Sequence, residues 1–473
     1  MPQIVRPAGS DGTAGPVEVP GQLDHTGEVL WREATAILDA NWTGRHVVPS
    51  RPLYPHQWSW DAAFIAVGLA HIDPGRAWRD LRSLFAAQWP DGRMPHIVFD
   101  PDVADRDYFP GPAFWTGDTG HPATPAAPAA SALTSGIVQP PVHAIGAWAI
   151  YRRSPDDAST EHLRWLYPRL VAQQEYLDTA RDVAGAGLSS IVHPWESGLD
   201  NSPSWDDAMA AVPVTRDLLR HHARRDVQVI SSDHRPTDDD YRRYVAIALS
   251  YRSDGYRDAD LRNRHPFLVE CPGFNALRGA AELALARIAE VVGADPAPHR
   301  ARAAAITELL VDRLYDPGTG MFHALDVRTG RLSPARCVNG LLPLVLPDLP
   351  ETQVASLVSE IVSPRFGLGA GLAVSSYDRS AADFDPLRYW RGPIWFNVNW
   401  LLWRGLRAHG RDTLAATLRT ALLDLARGSG CHEYFHPNTG QGIGSPAFSW
   451  TAALTLDLLA DDQARGLVPP LAE

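Results

Sequence analysis

The chain of 473 residues contains no lysine, so all 43 residues counted as lysine or arginine are arginines. This absence excludes Schiff-base chemistry, pyridoxal phosphate catalysis and phosphate binding by a P-loop lysine. No apolar stretch reaches the ~18 residues of a membrane-spanning helix. No GxSxG motif indicates the serine nucleophile of an α/β-hydrolase, and no short repeat indicates a helical solenoid.

Cysteine is rare in the chain, and the net charge is negative. Cys271, Cys337 and Cys431 are far apart, odd in number and form no CxxC motif, so we expect free thiols and a cytoplasmic location. The formal charge of −12 argues against nucleic acid or an anionic membrane as a partner. Residues 1–25 include no apolar core of a signal peptide, and their composition predicts a flexible tail.

Hydrophobic periodicity predicts an all-α fold over residues 26–473, which we interpret as one domain. Apolar residues recur at helical spacing in segments 28–40, 61–71, 76–88, 142–153, 161–181, 241–251, 273–292, 301–314, 334–346, 351–362, 393–409, 413–427 and 445–459. Strand signals are few and short. Successive helices with conspicuous residues at their connections indicate a toroid of paired helices, whose loops at one end form a pocket.

One segment interrupts the helical pattern. Residues 111–136 are rich in proline, alanine and threonine and show no periodicity. A loop of this length within a compact domain is typical of a functional element. We therefore interpret the region around 100–137 as an inserted lid over the pocket.

Two acidic loops give the strongest indication of chemistry. Residues 193–201 read HPWESGLDN, and residues 431–441 read CHEYFHPNTGQ. Each loop places carboxylates among aromatic and amide side chains, with no basic residue other than histidine. Such carboxylates are candidates for a raised pKa and for proton transfer. A pair of them flanked by tryptophan is what the cleavage of a glycosidic bond requires.

The second loop also matches the zinc-peptidase motif HExxH, through His432 and His436. That motif needs a helix, so that both histidines face one metal ion. Glycines at 428 and 430 precede the motif, and Pro437 follows it, which disfavours a continuous helix. Outside a metal site, Glu433 is a candidate general base that positions a water molecule.

Aromatic residues accompany polar ones in two further segments. Residues 54–62 read YPHQWSWDA, where Trp58 and Trp60 could stack on a sugar ring and Asp61 could accept from two hydroxyl groups. A helix cap is the alternative role of Asp61. In residues 388–400, Tyr389 and Trp390 precede the start of a predicted helix and are well placed for a ligand. Trp395, Trp400 and Trp403 could all belong to the core, and for Trp400 and Trp403 we favour this interpretation.

An arginine stands among acids in residues 233–241, DHRPTDDDY. A solvated turn before a helix is one interpretation. In the other, Arg235 pairs with an anionic substrate, because the guanidinium fork matches the geometry of a carboxylate.

Together these stretches resemble glycoside hydrolase family 63, and more narrowly its bacterial mannosylglycerate and glucosylglycerate hydrolases. The resemblance extends from about residue 31 to the last helix. Its motifs are YPHQWSWD at 54–61, QPPVHA at 139–144, HPWESGLDNSPSWD at 193–206, YWRGPIWFNVNW at 389–400 and EYFHPNTGQGIGSPAFSW at 433–450. The resemblance implies an (α/α)6 barrel and an inverting mechanism without metal or other cofactor.

The same resemblance assigns roles to residues. Asp200 matches the general acid and Glu433 the general base. The residues that match the sugar-binding wall are Tyr54, Trp58, Trp60, Asp61, Gln139, Trp195, Gly198, Tyr389, Trp390 and Trp395. Arg235 and Tyr241 match residues that hold the glycerate carboxylate.

The predicted partner is thus a small anionic α-glycoside, with the choice between glucose and mannose and the oligomeric state left open. A neutral disaccharide or short α-glucan as substrate, a zinc peptidase and a non-catalytic sugar-binding protein are the alternatives.

Overall fold

The computed structural model describes residues 19–20, 23–116, 133–214, 224–370 and 372–461, with the side chain of Arg106 excepted. Most of the predicted tail at 1–25 and residues 117–132 of the predicted lid lie outside these ranges. The prediction of a single domain over 26–473 stays a prediction.

Helices dominate the described residues. In chain order they are α1 (His25–Ala40), α2 (Ser59–Ile72), α3 (Pro74–Phe85), α4 (Pro112–Thr116), α5 (His143–Arg153), α6 (Asp157–Thr179), α7 (Asp206–Ala210), α8 (Asp226–Val229), α9 (Asp238–Ser253), α10 (Leu261–Arg264), α11 (Pro272–Val292), α12 (Ala297–Leu314), α13 (Glu351–Val362), α14 (Phe396–Ala408), α15 (Asp412–Ser429) and α16 (Ser449–Ala460).

The inner helices close into a ring. Helix α2 packs on α5, α5 on α11, α11 and α14 on the turns at 342–345, α14 on α16, and α16 back on α2. An outer layer packs against this ring: α1 against α16, α3 against α2, α6 and α12 against α11, and α15 against α14. Alternation of outer and inner elements along the chain makes this an (α/α)6 barrel, which confirms the predicted fold class.

Strands are short and belong to the loops. Four form one antiparallel sheet, in the order β3 (Ser190–Ile191), β4 (Val269–Glu270), β7 (Leu325–Asp326) and β8 (Arg331–Leu332). The others form antiparallel pairs: β1 (Gln57–Trp58) with β2 (Ile97–Val98), β5 (Tyr315–Asp316) with β6 (Met321–Phe322), and β9 (Tyr434–Phe435) with β10 (Gly442–Ile443). The pair β1–β2 contains Trp58, and β9 follows Glu433 directly, so these two pairs hold segments that carry predicted site residues.

The predicted helices occur within a few residues of their expected bounds, except the one at 334–346, which is wrong. This segment holds two 3-10 turns, at Val338–Gly340 and Leu342–Val345. Pro343 has no N–H to donate to a helical ladder, and Gly340 lies against the carbonyl oxygen of Phe322, 2.1 Å from where a Cβ atom would stand. The segment still occupies the place of an inner helix in the ring.

No helix in the described ranges combines the length and apolarity needed to cross a bilayer. The three cysteines are buried as free thiols. Burial raises the pKa of Cys337 and Cys431 to about 12, and it also raises the pKa of Cys271. Thiolate is the nucleophilic form, so these environments do not favour a cysteine nucleophile.

The contact between α2 and α16 depends on a glycine. A Cβ atom on Gly68 would stand 2.3 Å from the Cα atom of Ala453. Gly428 in α15 offers a matched control, because a Cβ atom there meets nothing within 4 Å.

We expect Gly68→Ala to lower the free energy of unfolding by about 1–3 kcal/mol through overpacking, seen as a lower melting temperature. Gly428→Ala should raise it by about 0.5–1 kcal/mol, because alanine is the better helix former. Equal shifts for the two variants in thermal denaturation would contradict the described packing.

Candidate active site

A cavity with about 900 Å³ of space free of protein atoms, part of it open to solvent, lies at the end of the barrel where inner helices begin. The segments that lead into α2, α5, α14 and α16 supply much of its wall. Of the residues predicted for the site, all but two line this cavity: Tyr54, Trp58, Trp60, Asp61, Gln139, Trp195, Gly198, Asp200, Arg235, Tyr241, Tyr389 and Glu433. Side chains 379 residues apart in sequence thus come into contact, as Tyr54 and Glu433 do.

The loop that carries Asp200 turns sharply before it. Residues Pro194–Ser197 form a 3-10 turn that ends at Gly198, whose φ is 73°. This left-handed conformation suits glycine. A Cβ atom on Gly198 would also stand 2.5 Å from the ring of Trp60. Both the backbone geometry and the contact with Trp60 therefore require glycine here.

The two acids of this loop have different environments. Glu196 is fully buried and forms a bidentate ion pair with Arg181, at 2.7 and 2.9 Å. Its oxygens also accept from the backbone N–H groups of Val138 and Val192. The side chain of Glu196 therefore fastens the loop to its neighbours, whereas that of Asp200 lines the cavity.

Asp200 is held through its backbone. Its carbonyl oxygen accepts from the indole N–H of Trp205 at 2.8 Å and from the hydroxyl of Tyr244 at 3.1 Å. Burial raises the pKa of the Asp200 carboxyl to about 7, against the opposing effect of Arg235. A carboxyl group with such a pKa holds its proton near neutral pH and can donate it.

Glu433 has partners for both carboxylate oxygens. Oε1 accepts from the hydroxyl of Tyr54 at 2.7 Å and from Nη1 of Arg235 at 3.2 Å. Oε2 accepts from the backbone N–H of Ser445 at 3.0 Å. Gly444, with a φ of 73°, gives this carboxylate room, because a Cβ atom there would stand 2.6 Å from Oε2. The carboxylate is therefore fixed in one orientation at the cavity wall.

The HExxH motif has a strand where a zinc site needs a helix. Tyr434 and Phe435 form β9, paired with β10. A strand rises about 3.3 Å per residue, so His432 and His436 are carried apart along it. His436 instead accepts through Nδ1 from the backbone N–H groups of residues 438 and 439. Among the described residues, no group of three or more His, Cys, Asp or Glu side chains is arranged so that it could hold a metal ion.

A third carboxyl group faces the cavity. Asp61 lies in the first turn of α2, but the cap of this helix is Trp58, with no side-chain hydrogen bond. Burial raises the pKa of Asp61 well above its usual range, and the charges of Glu433 and Asp200 add to this effect. Asp61 is thus a buried polar group at the cavity rather than a helix cap.

Aromatic rings form much of the remaining wall. Trp58 meets His96 edge-on at 5.3 Å between centroids, and His96 stacks on Trp195 at 6.1 Å. The ring of Trp60 packs against Trp450 at 5.5 Å. Flat apolar faces with indole donors suit the C–H faces and hydroxyl groups of a sugar.

Trp390 and Trp395 lie outside the cavity lining, although they were predicted with the sugar-binding wall. Their rings stack on each other at 3.8 Å, and both are almost fully buried. The indole of Trp395 donates to the carbonyl oxygen of Tyr389, whose φ is 38°. This backbone conformation is unfavourable for a residue other than glycine. The two tryptophans support Tyr389 from behind.

Arg235 is already engaged by protein groups. Nη2 donates to the hydroxyl of Tyr54 at 2.7 Å, Nη1 to Glu433 at 3.2 Å, and Nε to Asp226 at 3.5 Å. Its guanidinium also covers the ring of Tyr389. The structure thus places Arg235 in the cavity and against the candidate base, which excludes a solvated surface turn for this side chain. Its predicted contact with a substrate carboxylate stays a prediction.

Further lining residues had no role in the sequence prediction. They are Leu53, His96, Ile97, Tyr108, Phe109, Pro110, Trp115, Arg225, Asp226, Pro236, Tyr244, Phe448 and Trp450. Residues 108–110 and Trp115 belong to the region predicted as a lid. The aromatic residues of this region are evident in the sequence. The proline and alanine that follow them led us to interpret the region as a lid and not to predict these residues as part of the site.

The buried pair of Glu196 and Arg181 can be tested by substitution. Glu196→Gln should destabilise the protein by up to about 3–5 kcal/mol, because it removes the carboxylate that faces both Nη atoms of buried Arg181 and leaves this guanidinium with Asp258, at Nε, as its charged partner. Thermal denaturation measures this loss. Glu161→Gln is the control: Glu161 forms an exposed ion pair with Arg164, and such pairs contribute little. Similar melting temperatures for both variants would contradict a structural role of Glu196.

The chain is similar to known proteins over most of its length. Residues 54–451 match the mannosylglycerate hydrolase MGH1-like glycoside hydrolase domain. The chain is 40% identical to a mannosylglycerate hydrolase of Rubrobacter radiotolerans, over 92% of this chain and 97% of that one. It is 34% identical to a glucosylglycerate hydrolase of Mycolicibacterium hassiacum, over 93% and 100%.

Among solved structures, the family 63 mannosylglycerate hydrolase of Thermus thermophilus, in complex with Tris and D-glycerate, superposes with a TM-score of 0.82. The two chains are 39% identical, with 90% of this chain and 99% of the other covered. The chain therefore belongs to glycoside hydrolase family 63, among the MGH1-like hydrolases.

Proposed function

We propose that the protein is an inverting glycoside hydrolase that cleaves a small anionic α-glycoside, mannosylglycerate or glucosylglycerate, into free sugar and glycerate. The observation that carries this proposal is the pair of carboxyl groups in one cavity, Asp200 and Glu433, on separate loops and with unlike partners. Inverting hydrolysis requires two such groups in different protonation states.

Asp200 acts as the general acid. Since burial raises its pKa to about 7, the group is mostly protonated in slightly acidic solution and about half protonated at neutral pH. It transfers this proton to the glycosidic oxygen as the bond to the sugar breaks. The leaving glycerate thereby departs as a neutral hydroxyl instead of an alkoxide.

Glu433 acts as the general base. It removes a proton from a water molecule that attacks the anomeric carbon on the face opposite to the leaving group. The hydroxyl of Tyr54, Arg235 and the backbone of Ser445 orient the carboxylate for this step. Asp61, in the same cavity, accepts from sugar hydroxyl groups and so positions the ring.

Two observations support an anionic substrate. The similar proteins are mannosylglycerate and glucosylglycerate hydrolases, and two arginines, Arg225 and Arg235, line the cavity. A neutral disaccharide or short α-glucan is the alternative within the same chemistry. A panel of mannosyl and glucosyl derivatives of glycerate, glycerol and a second sugar, assayed for sugar release, tests the choice. We expect the glycerates to be hydrolysed most efficiently. Preference for a neutral disaccharide would contradict the anionic substrate.

The pH dependence of the reaction should reflect the protonation of Asp200. Because the acid must be protonated, we expect kcat/KM to fall as pH rises through about 7, the pKa to which burial raises this group. Rates measured between about pH 5 and pH 9 locate this limb. A rate that stays constant to pH 9 would show that another group supplies the proton.

Substitution separates the two carboxyl groups. Asp200→Asn should lower kcat on a glycosylglycerate by about 10²–10⁴-fold. It should lower kcat less on an aryl glycoside, whose leaving group needs no proton. Glu433→Gln should lower kcat on both substrates to a similar extent, because the hydrolysis of both needs the attacking water. Full activity of either variant on the glycerate would favour a binding protein or a different mechanism.

We propose that no metal takes part. Treatment with a chelator should leave kcat/KM unchanged, and metal analysis of the purified protein should give no stoichiometric zinc. Zinc bound through His432 and His436 would overturn the assignment. A cytoplasmic location and a single catalytic domain at 26–473 remain predictions.

A further inference from the structure

A second cavity lies at the end of the barrel opposite to the active site. It has about 1090 Å³ of space free of protein atoms, part of it open to solvent. Its wall comes from the later turns of α2, α5, α14 and α16, the helices whose leading segments line the active site. Asp61 and His71, one at each cavity, are ten residues apart in α2, a helical rise of about 15 Å. The two cavities are therefore distinct sites.

Positive charge prevails in this second cavity. Its charged lining residues are three arginines and two acids: Arg152, Arg153, Arg404, Asp457 and Asp461. Asp461 pairs at 2.5 Å with Arg407, which lies outside the lining. Asp457 accepts from the indole of Trp400 at 2.8 Å and is hydrogen-bonded to Nε2 of His71 at 2.9 Å. The lining acids are thus engaged by other groups, and the arginine charges exceed them.

Arg404 forms no hydrogen bond or ion pair within the part of the chain that the structure describes. Its guanidinium lies over the ring of Trp400, 4.9 Å from the centroid. Trp400 is one turn earlier in α14, so the charge lies inside the end of this helix. The negative end of a helix dipole favours arginine in a last turn, but it does not account for a charge at this depth.

Arg152 provides a second free cation beside Arg404. It lies in the last turn of α5, partly exposed, and it also forms no hydrogen bond or ion pair with another described residue. Burial lowers the pKa of Arg404; Asp457 opposes this shift, and the like charge of Arg152 adds to it. An anion between the two guanidinium groups would relieve their repulsion and accept hydrogen bonds from both.

The chemistry of the wall indicates the class of anion. A phosphate monoester carries a charge of about −1.5 to −2 at pH 7, which matches two unpaired guanidinium groups, and the guanidinium fork binds phosphate oxygens in pairs. Trp148 and Trp403 line the same cavity. Indole faces suit the C–H groups of a sugar ring. A phosphorylated sugar combines both features.

We propose that the cavity at the far end of the barrel is a second ligand-binding site, for a phosphate monoester of a sugar, whose phosphate group is held between Arg152 and Arg404. This site shares no lining residue with the active site. The inference therefore stands apart from the proposed hydrolysis, and its test measures binding and not activity.

The test titrates the full-length protein with glucose 6-phosphate in a calorimeter, at constant ionic strength because salt screens such contacts. Arg404→Gln and Arg152→Gln should each raise the Kd by about 10- to 100-fold, the effect of one charge-assisted contact. Arg152 is partly exposed, so its substitution should leave the fold intact even if that of Arg404 does not. The melting temperature of each unliganded variant checks this.

Arg225→Gln is the matched control, because Arg225 lines the active-site cavity. It removes the same charge and should leave the Kd for glucose 6-phosphate unchanged. Inorganic phosphate serves as a second probe and should bind more weakly than the sugar phosphate, since it has no ring to contact the tryptophans.

Three results would overturn the inference. The wild-type protein could fail to bind glucose 6-phosphate. The Kd could stay unchanged in folded Arg152→Gln and Arg404→Gln variants. It could also rise in Arg225→Gln instead, which would place the ligand in the active site. Equal affinities for inorganic phosphate and the sugar phosphate would contradict the assignment of the sugar.

Discussion

The buried ion pair between Arg181 and Glu196 is the constraint on which the site depends. Neither side chain is exposed, and removal of two charges from water is costly unless each is fully paired. Glu196 meets this condition through both guanidinium contacts and the backbone N–H groups of residues 138 and 192. One interaction thus joins the end of α6, the segment before α5 and the loop of Asp200. Because that loop is fixed, the acid has a defined place and a buried environment.

The other wall is organised around Arg235. This arginine holds Glu433 and Tyr54, covers the ring of Tyr389 and approaches Asp226. The proposed general base, Glu433, is thereby surrounded by fixed donors, whereas burial raises the pKa of the proposed general acid, Asp200, and so favours its neutral form. The different surroundings of Asp200 and Glu433 thus suit the two carboxyl groups to different proposed roles in proton transfer.

The sequence was sufficient for most of the fold, because inner and outer helices carry clear periodicity and start signals. It failed at residues 334–346, where apolar spacing is helical but Pro343 and the close approach at Gly340 favour 3-10 turns. Motifs placed Asp200 and Glu433 in one cavity. Sequence could not distinguish the lining residue Tyr389 from Trp390 and Trp395 behind it. It also could not show that Arg235 contacts Glu433, since 198 residues separate them. Such long-range contacts depend on how the barrel closes.

The anomeric configuration of the first sugar released tests the central claim most directly. Asp200 as acid and Glu433 as base, acting on opposite faces of the ring, require that an α-glycoside yield the β-anomer. Proton NMR spectra recorded during the first minutes of hydrolysis, before mutarotation, distinguish the two anomers. The account predicts that the β-anomer appears first. Initial release of the α-anomer would indicate a covalent intermediate and contradict it.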